Sequence, residues 1–262
     1  MDLGLKGKIA LLTGASRGLG FATAEVLAQE GVNLAINSRD VDELAKAGDK
    51  LAQYGVQVVS LPGDVTEPER PGALVGATIA TLGGLDLLFT NAGGPPPGAF
   101  EDIEDSTWDQ AVELSFMSHV RLIRAALPWL RQSKAPAVLT VTSISIKQPI
   151  PNLVLSNSIR AATAGLTKTL ALELGPEGIR FNSILPSWTH TERVEQLMAD
   201  RAARKGTSTE AEIQLQNEQS PLGRMGKPEE FGRAAAFLLS PAASYITGVM
   251  LSVDGGTYKG LF

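Results

Sequence analysis

The chain is predicted to fold as an α/β protein with a doubly wound parallel sheet of about seven strands and helices on both faces. Three observations carry this expectation. Short apolar, β-branched runs alternate with helix-length segments along the whole 262 residues. Each run is apolar on both faces, as strands covered by helices on two sides must be. The first run leads through a glycine-rich turn straight into a helical pattern.

The elements follow in order. Ile9–Thr13 is a short continuous strand, and Phe21–Gln29 has helical periodicity with Gly31 as its stop. Leu34–Asn37 is the second strand. Asp40-Val41-Asp42-Glu43 then opens a helix with a capping residue and an acidic first turn, close to a capping box. Val56–Ser60, Leu85–Thr90, Ala137–Thr142 and Ile179–Leu185 are further strands. A helix after Pro151 is expected through Ala161–Leu174, stopped by Gly175-Pro176. Pro228 with Glu229 and Glu230 reads as the first turn of a late helix, because Pro suits the first helical position and acids suit the positive end. The run Gly93-Gly94-Pro95-Pro96-Pro97-Gly98 reads as a stiff surface turn. Thr191–Ser220 is polar and Ala-rich, and is expected to be a helical, substrate-side insert within one domain spanning residues 1–262.

Bulk composition excludes several function classes. A hydrophobic content of 44% against 19% charged residues fits a chain with a sizeable buried core. A net charge of −5 argues against nucleic-acid or anionic-membrane partners. No apolar run approaches the roughly 20 residues of a membrane span, and Met1–Lys8 lacks the pattern of a secretory signal. Cysteine is absent, which removes thiolate catalysis and Cys-based metal sites, and the only imidazoles are His119 and His190. A cytoplasmic, metal-free protein is expected.

The most informative motif is Thr13-Gly14-Ala15-Ser16-Arg17-Gly18-Leu19-Gly20, lying between the first strand and the first helix. A strand that ends at a helix N-terminus offers free backbone N–H groups and the positive end of the dipole to a diphosphate. Glycine permits the tight turn and lets the phosphates approach the backbone. Spacing and context together resemble the Thr-Gly-x3-Gly-x-Gly turn of the short-chain dehydrogenases/reductases. Asp64-Val65, Asn91-Ala92-Gly93, Ser143, the Pro186 turn, Pro221-Leu222-Gly223-Arg224 and Val253-Asp254-Gly255-Gly256 all fall in that family's order. The resemblance covers almost the whole chain. It is strongest to the β-ketoacyl-carrier-protein reductase branch, and within it to a divergent subgroup whose active-site set is not intact.

That resemblance implies a Rossmann fold, an NADP(H) cofactor, a small carbonyl or acyl substrate, and a homo-oligomer, in this family commonly a tetramer. It places Gly14, Ser16, Arg17, Gly18, Leu19 and Gly20 on the diphosphate, Asp64 and Val65 beside the adenine, and Asn91, Ala92 and Gly93 beside the adenosine ribose. Pro186 and Thr191 fall in the turn near the nicotinamide, with Ser187 replacing a glycine. An acidic residue after the second strand would accept bonds from a ribose 2′-hydroxyl and repel a 2′-phosphate. Ser38 and Arg39 stand there instead, and Arg39 with Arg17 would make a phosphate clamp. Asp40 is read as a helix cap rather than as a ribose acceptor.

The reaction centre departs from the family. Its reductases use a Ser, a Tyr and a Lys, with an Asn on a neighbouring helix. Ser143 keeps its place, but Ser156 and Arg160 stand where the Tyr and Lys belong, and Ser115 stands for the Asn. Positions 156 and 160 are one helical turn apart and share a face. A serine hydroxyl is a far weaker acid than a phenol and reaches less far. Arginine keeps a cation but does not share its proton. Arg160 is expected to hold the cofactor ribose or to stabilise a developing alkoxide. Lys147 and His190 are the remaining candidates for a proton donor; His119 is read as structural. The expected activity is interconversion of a carbonyl and an alcohol with an altered catalytic set. The rival expectation is a non-catalytic NADP(H)-binding sensor or partner subunit.

Overall fold

Six strands form at the expected apolar runs, β1 (Ile9–Leu12), β2 (Asn33–Ser38), β3 (Val58–Pro62), β4 (Leu87–Thr90), β5 (Ala137–Val141) and β6 (Arg180–Pro186), and the seventh, whose place the sequence reading did not give, is β7 (Met250–Val253). They build one sheet in the order β3-β2-β1-β4-β5-β6-β7. Every neighbouring pair is parallel. The computed structural model describes residues 2–261; Met1 and Phe262, the two ends of the expected domain, lie outside the described residues.

Alternation within each strand explains the two-sided cover. Ala10 and Leu12 point into one core with Leu34, Ile36, Leu87 and Phe89, while Leu11 points into the other with Ala35 and Leu88. The first core is closed by three helices, α1 (Gly18–Gln29), α2 (Val41–Ala52) and α9 (Pro228–Leu239). The second is closed by α3 (Arg70–Leu82), α5 (Ser118–Leu130) and α6 (Val154–Leu174). Leu11, Leu34, Ile36, Leu88 and Phe89 have no measurable exposure. Each such side chain contributes about 1.5–3 kcal/mol by leaving water. Gly20 lets α1 sit close to the sheet: a Cβ there would lie 2.0 Å from the Gly14 carbonyl oxygen.

Several boundaries differ from the sequence expectation, and three of them do so for a visible reason. β3 runs two residues later than expected and ends in Pro62. It is the edge strand, where a missing N–H costs no ladder bond. β4 begins at Leu87 because the Asp86 carboxylate accepts the Ile9 N–H at 2.9 Å. α6 begins at Val154, seven residues before the expected Ala161. Its polar opening hid the helix, although Asn157 secures the approach by bonding Ile150 through both its amide oxygen and its amide nitrogen. The stretch 191–220 is helical as expected, forming α7 (Glu192–Lys205) and α8 (Thr209–Gln219).

Strand order reverses between β1 and β4, which leaves a crevice outside their C-terminal ends. The remaining helix, α4 (Asp105–Val112), leads through a wide turn at Glu113–Met117 with π-helical bonding into α5.

Candidate active site

The crevice is a cavity of about 610 Å³. Its lining draws on the turn after β1, the ends of β4, β5 and β6, the start of α6, and the first half of α7.

One wall is the opening of α1. Gly14 has φ of +58°, a left-handed conformation, and a Cβ on it would lie 2.8 Å from the Asn91 side-chain nitrogen. Asn91 in turn donates to the Gly14 carbonyl at 3.1 Å, so β1 and β4 are stitched at their C-terminal ends. Thr13 adds to the stitch by donating to the Asn91 carbonyl at 2.7 Å. α1 has no side-chain cap and no acid in its first turn. Gly18 and Leu19, its first residues, line the cavity. Its unpaired N–H groups and positive dipole end therefore face the crevice, and this donor set fits a diphosphate.

At the outer end of this wall, Ser16 donates to the Ser38 hydroxyl at 2.9 Å and draws the turns after β1 and β2 together. Arg17 and Arg39 do not converge on a free clamp in this conformation. Arg17 pairs with Glu192 at 3.2 Å, and Arg39 pairs with Asp64 at 3.4 Å. Each arginine is largely exposed and has a carboxylate beside it, so neither swings in alone. Exposed pairs of this kind contribute about 0–1 kcal/mol, little enough for an incoming phosphate to displace. Asp40 caps α2 by accepting the Glu43 N–H at 3.1 Å, as expected. Ser16, Ser38, Arg39, Asp64 and Val65 lie outside the cavity lining, whereas Ala92, Gly93, Pro186 and Thr191 are part of it. Thr191 also caps α7.

The opposite wall brings Ser143, Ser156 and Arg160 together. Ser143 lies two residues beyond the end of β5, and its hydroxyl oxygen accepts the Ser145 N–H at 3.1 Å, which leaves the hydroxyl proton to donate. Ser156 and Arg160 come from the first two turns of α6. Arg160 is 8% exposed. One of its nitrogens, Nη1, donates to the carbonyls of Val141 and Thr142 at 3.1 and 3.3 Å. No carboxylate pairs with it among the described residues. Burial lowers its pKa to about 10, so it remains a cation at neutral pH. A buried cation held only by backbone carbonyls is costly unless something else uses its donors.

Behind Arg160, His119 is fully buried and bonded to the Thr90 hydroxyl at 2.7 Å. Burial, with the Arg160 charge second, lowers its pKa to about 3. It is a neutral structural imidazole, as read from its place in the sequence. Ser115 is not brought to the cavity. It sits in the π turn, 1% exposed, with its hydroxyl unpaired, and its carbonyl accepts from Thr163. Lys147 and His190 are diverted as well. Lys147 lies over the Tyr258 ring at 5.3 Å, and His190 pairs with Glu195 at 3.1 Å on the surface. No Tyr, His or Lys lines the cavity.

The sequence reading passed over two features. Gly94 and Pro95 belong to the cavity wall, and Pro95 is buried, so the Gly-Pro run is more than a surface turn. Its bridge from Gly98 to Leu153 ties it to the start of α6. The hydroxyls of Thr142 and Ser187, both lining residues, are buried without partners. Unused donors of this kind are what a ligand would satisfy. Among the described residues, no cluster of His, Cys, Asp or Glu could hold a metal, and no helix is long and apolar enough to cross a membrane.

Comparison with known proteins agrees with this geometry. The family model described as Enoyl-(Acyl carrier protein) reductase matches residues 14–258. The 7alpha-hydroxysteroid dehydrogenase of Escherichia coli (strain K12) is 31% identical over 255 residues, which cover 97% of this chain and 96% of that one. The structure of L-sorbose reductase from Gluconobacter frateurii, complexed with NADPH and L-sorbose, superposes with a TM-score of 0.95 at 34% identity, with all of both chains covered. An NADPH-bound short chain oxidoreductase from Pseudomonas aeruginosa PAO1, described as containing an atypical catalytic center, gives 0.87 at 33% identity over 97% of each chain.

Proposed function

We propose, given that the chain belongs to the short-chain dehydrogenase/reductase family, that it is an NADP(H)-dependent oxidoreductase acting on a carbonyl/alcohol pair with an altered catalytic set. One observation carries the reading: the bare opening of α1 and the Ser143–Ser156–Arg160 group line the same cavity. NADPH bound along α1 supplies the hydride. The chain's own residues supply orientation and charge. The Ser143 hydroxyl donates to the substrate carbonyl. Arg160 offers the donors not used on Val141 and Thr142 to a ribose hydroxyl or to the developing alkoxide, where a fixed donor is worth most.

The proton then comes from water admitted to the cavity beside Ser156, because no Tyr, His or Lys lines it. Structural neighbours crystallised with NADPH support the choice of cofactor. Ser38 and Arg39 in place of an acid after β2 support the phosphate form. The finer likeness to 3-oxoacyl-carrier-protein reductase, a single domain over 1–262 with 191–220 as its substrate-side insert, and a homotetramer belong to the same proposal.

NADPH consumption over a panel of ketones, aldehydes and acyl thioesters tests it. Turnover that Ser143→Ala lowers by about 10²-fold supports the reading. Tight NADPH binding without consumption of any substrate favours the second reading, a non-catalytic NADP(H)-binding subunit. The specific observation behind that second reading is the absence of a tuned proton donor from the cavity wall.

A further inference from the structure

A second cavity, of about 600 Å³, opens beside the first. The two share Ile144, Ile150, Leu153, Ser187, Trp188 and Leu197. A substrate whose carbonyl lies beside Ser143 therefore has room for a tail that passes Trp188 into this second space.

The charge there is one-sided. Arg201, Arg204 and Lys205 line the second cavity, and among the described residues no carboxylate does. All three come from α7, at spacings of three and four residues that put them on one face. Lys205 is neutralised from behind by Glu212, whose side chain is 1% exposed and accepts at 2.9 Å. The two arginines carry the remaining charge. Arg201 is held in place: its guanidinium lies 5.2 Å from the centre of the Trp188 ring, and its Nη1 donates to Gln216 at 3.3 Å. Arg204 has no carboxylate partner among the described residues. A guanidinium stacked on an aromatic face keeps its planar donor edge ready for an oxoanion and loses little freedom on binding one.

We propose that this cavity is a subsite for the far end of the substrate, and that it selects an oxoanion, a carboxylate or a phosphate ester, held by Arg201 and Arg204. The substrate class is then an oxo compound with an anionic tail. This inference rests on the reductase reading for the position of the carbonyl, and its test does not need turnover.

With NADP⁺ in excess a carbonyl compound has no hydride to receive, so binding is read alone. The probes are linear oxo acids of increasing chain length, their methyl esters, and oxo phosphate esters of matched length, followed by calorimetry. At one chain length the anion binds about tenfold or more tightly than the neutral ester, as charge-assisted bonds to a guanidinium imply. Whichever of carboxylate and phosphate binds tighter identifies the tail. In both Arg201→Gln and Arg204→Gln the ratio of anion to ester affinity falls toward one. The Arg204 variant matters because it disturbs no ring stack. Equal affinity of acid and ester in the native protein, a preference that survives both substitutions, or no binding of either probe overturns the proposal. Reduction of neutral ketones without any anion preference leaves the reductase reading standing and removes the subsite. Anion preference without NADPH consumption does the reverse.

Discussion

Two opposite walls of one cavity, built from Gly14–Gly20 and Ser143–Arg160, meet different chemical demands. The first is asked only for shape and for backbone donors. Gly14 holds its left-handed turn, Asn91 fixes the neighbouring strand end, and α1 opens without a cap or an acid. One strand away, α2 opens under Asp40, with Asp42 and Glu43 in its first turn. A helix that the chain caps for itself is finished, and a helix left bare at a crevice is waiting for an anion. The second stretch is asked for a proton as well as for shape. Its frame is in place, with Ser156 and Arg160 one turn apart on α6, but neither is an acid suited to neutral pH. In the proposed reading the family's geometry survives at both ends, and its chemistry only at the first.

The largest expected effect restores the missing chemistry. Ser156→Tyr combined with Arg160→Lys raises turnover by about 10²–10⁴-fold, the usual contribution of a positioned general acid, equivalent to about 3–5 kcal/mol of barrier. Initial rates of NADPH consumption on a substrate of the native protein measure it. No gain would mean that the wall around Ser143 has been reshaped for another reaction, and the contrast between the two ends would be deeper than two side chains.

A smaller effect is expected at the outer end of the cofactor wall. Arg39→Asp removes a cation and adds an anion beside Asp64, so NADPH weakens and NADH becomes the tighter ligand. A shift of about tenfold or more in the affinity ratio follows from losing a charge-assisted bond to phosphate. Fluorescence titration with the two cofactors measures it. An unchanged ratio would show that Arg39 keeps its pairing with Asp64 when the cofactor binds. The smallest effect separates the two helix openings. Asp40→Ala removes the α2 cap and costs about 1 kcal/mol of stability in a denaturant melt, with NADPH affinity unchanged. A loss of affinity as large as the loss of stability would mean that the α2 opening belongs to the cofactor site too.

How much of this was legible in the sequence depends on what each residue answers to. Six of the strands, the glycine turn and the Asp40 cap are local: two-sided apolar runs and cap chemistry are written within a few residues. The proposed catalytic mismatch rests on the same kind of local reading, since Ser156 and Arg160 stand at a fixed interval from Ser143, and the cavity lining includes all three. The burial of Ser115 away from the cavity lining was not legible, because it lies in the π turn at Glu113–Met117 and no local pattern announces that turn. The diversion of Arg17 to Glu192, of Lys147 to Tyr258 and of His190 to Glu195 depends on where α7 and the C-terminal segment return. The second cavity was hidden for that reason too, because its charge comes from Arg201 and Arg204 and its wall from Trp188, residues that meet only in the folded chain.

Calorimetric titration of the purified protein with NADPH tests the central claim most directly, because both functional readings require α1 to receive a dinucleotide. The account predicts one site per chain with dissociation constants at or below about the micromolar level, roughly −8 kcal/mol, and weaker binding of NADH. No association with either nucleotide at millimolar concentration would contradict it, whatever the reaction centre can do.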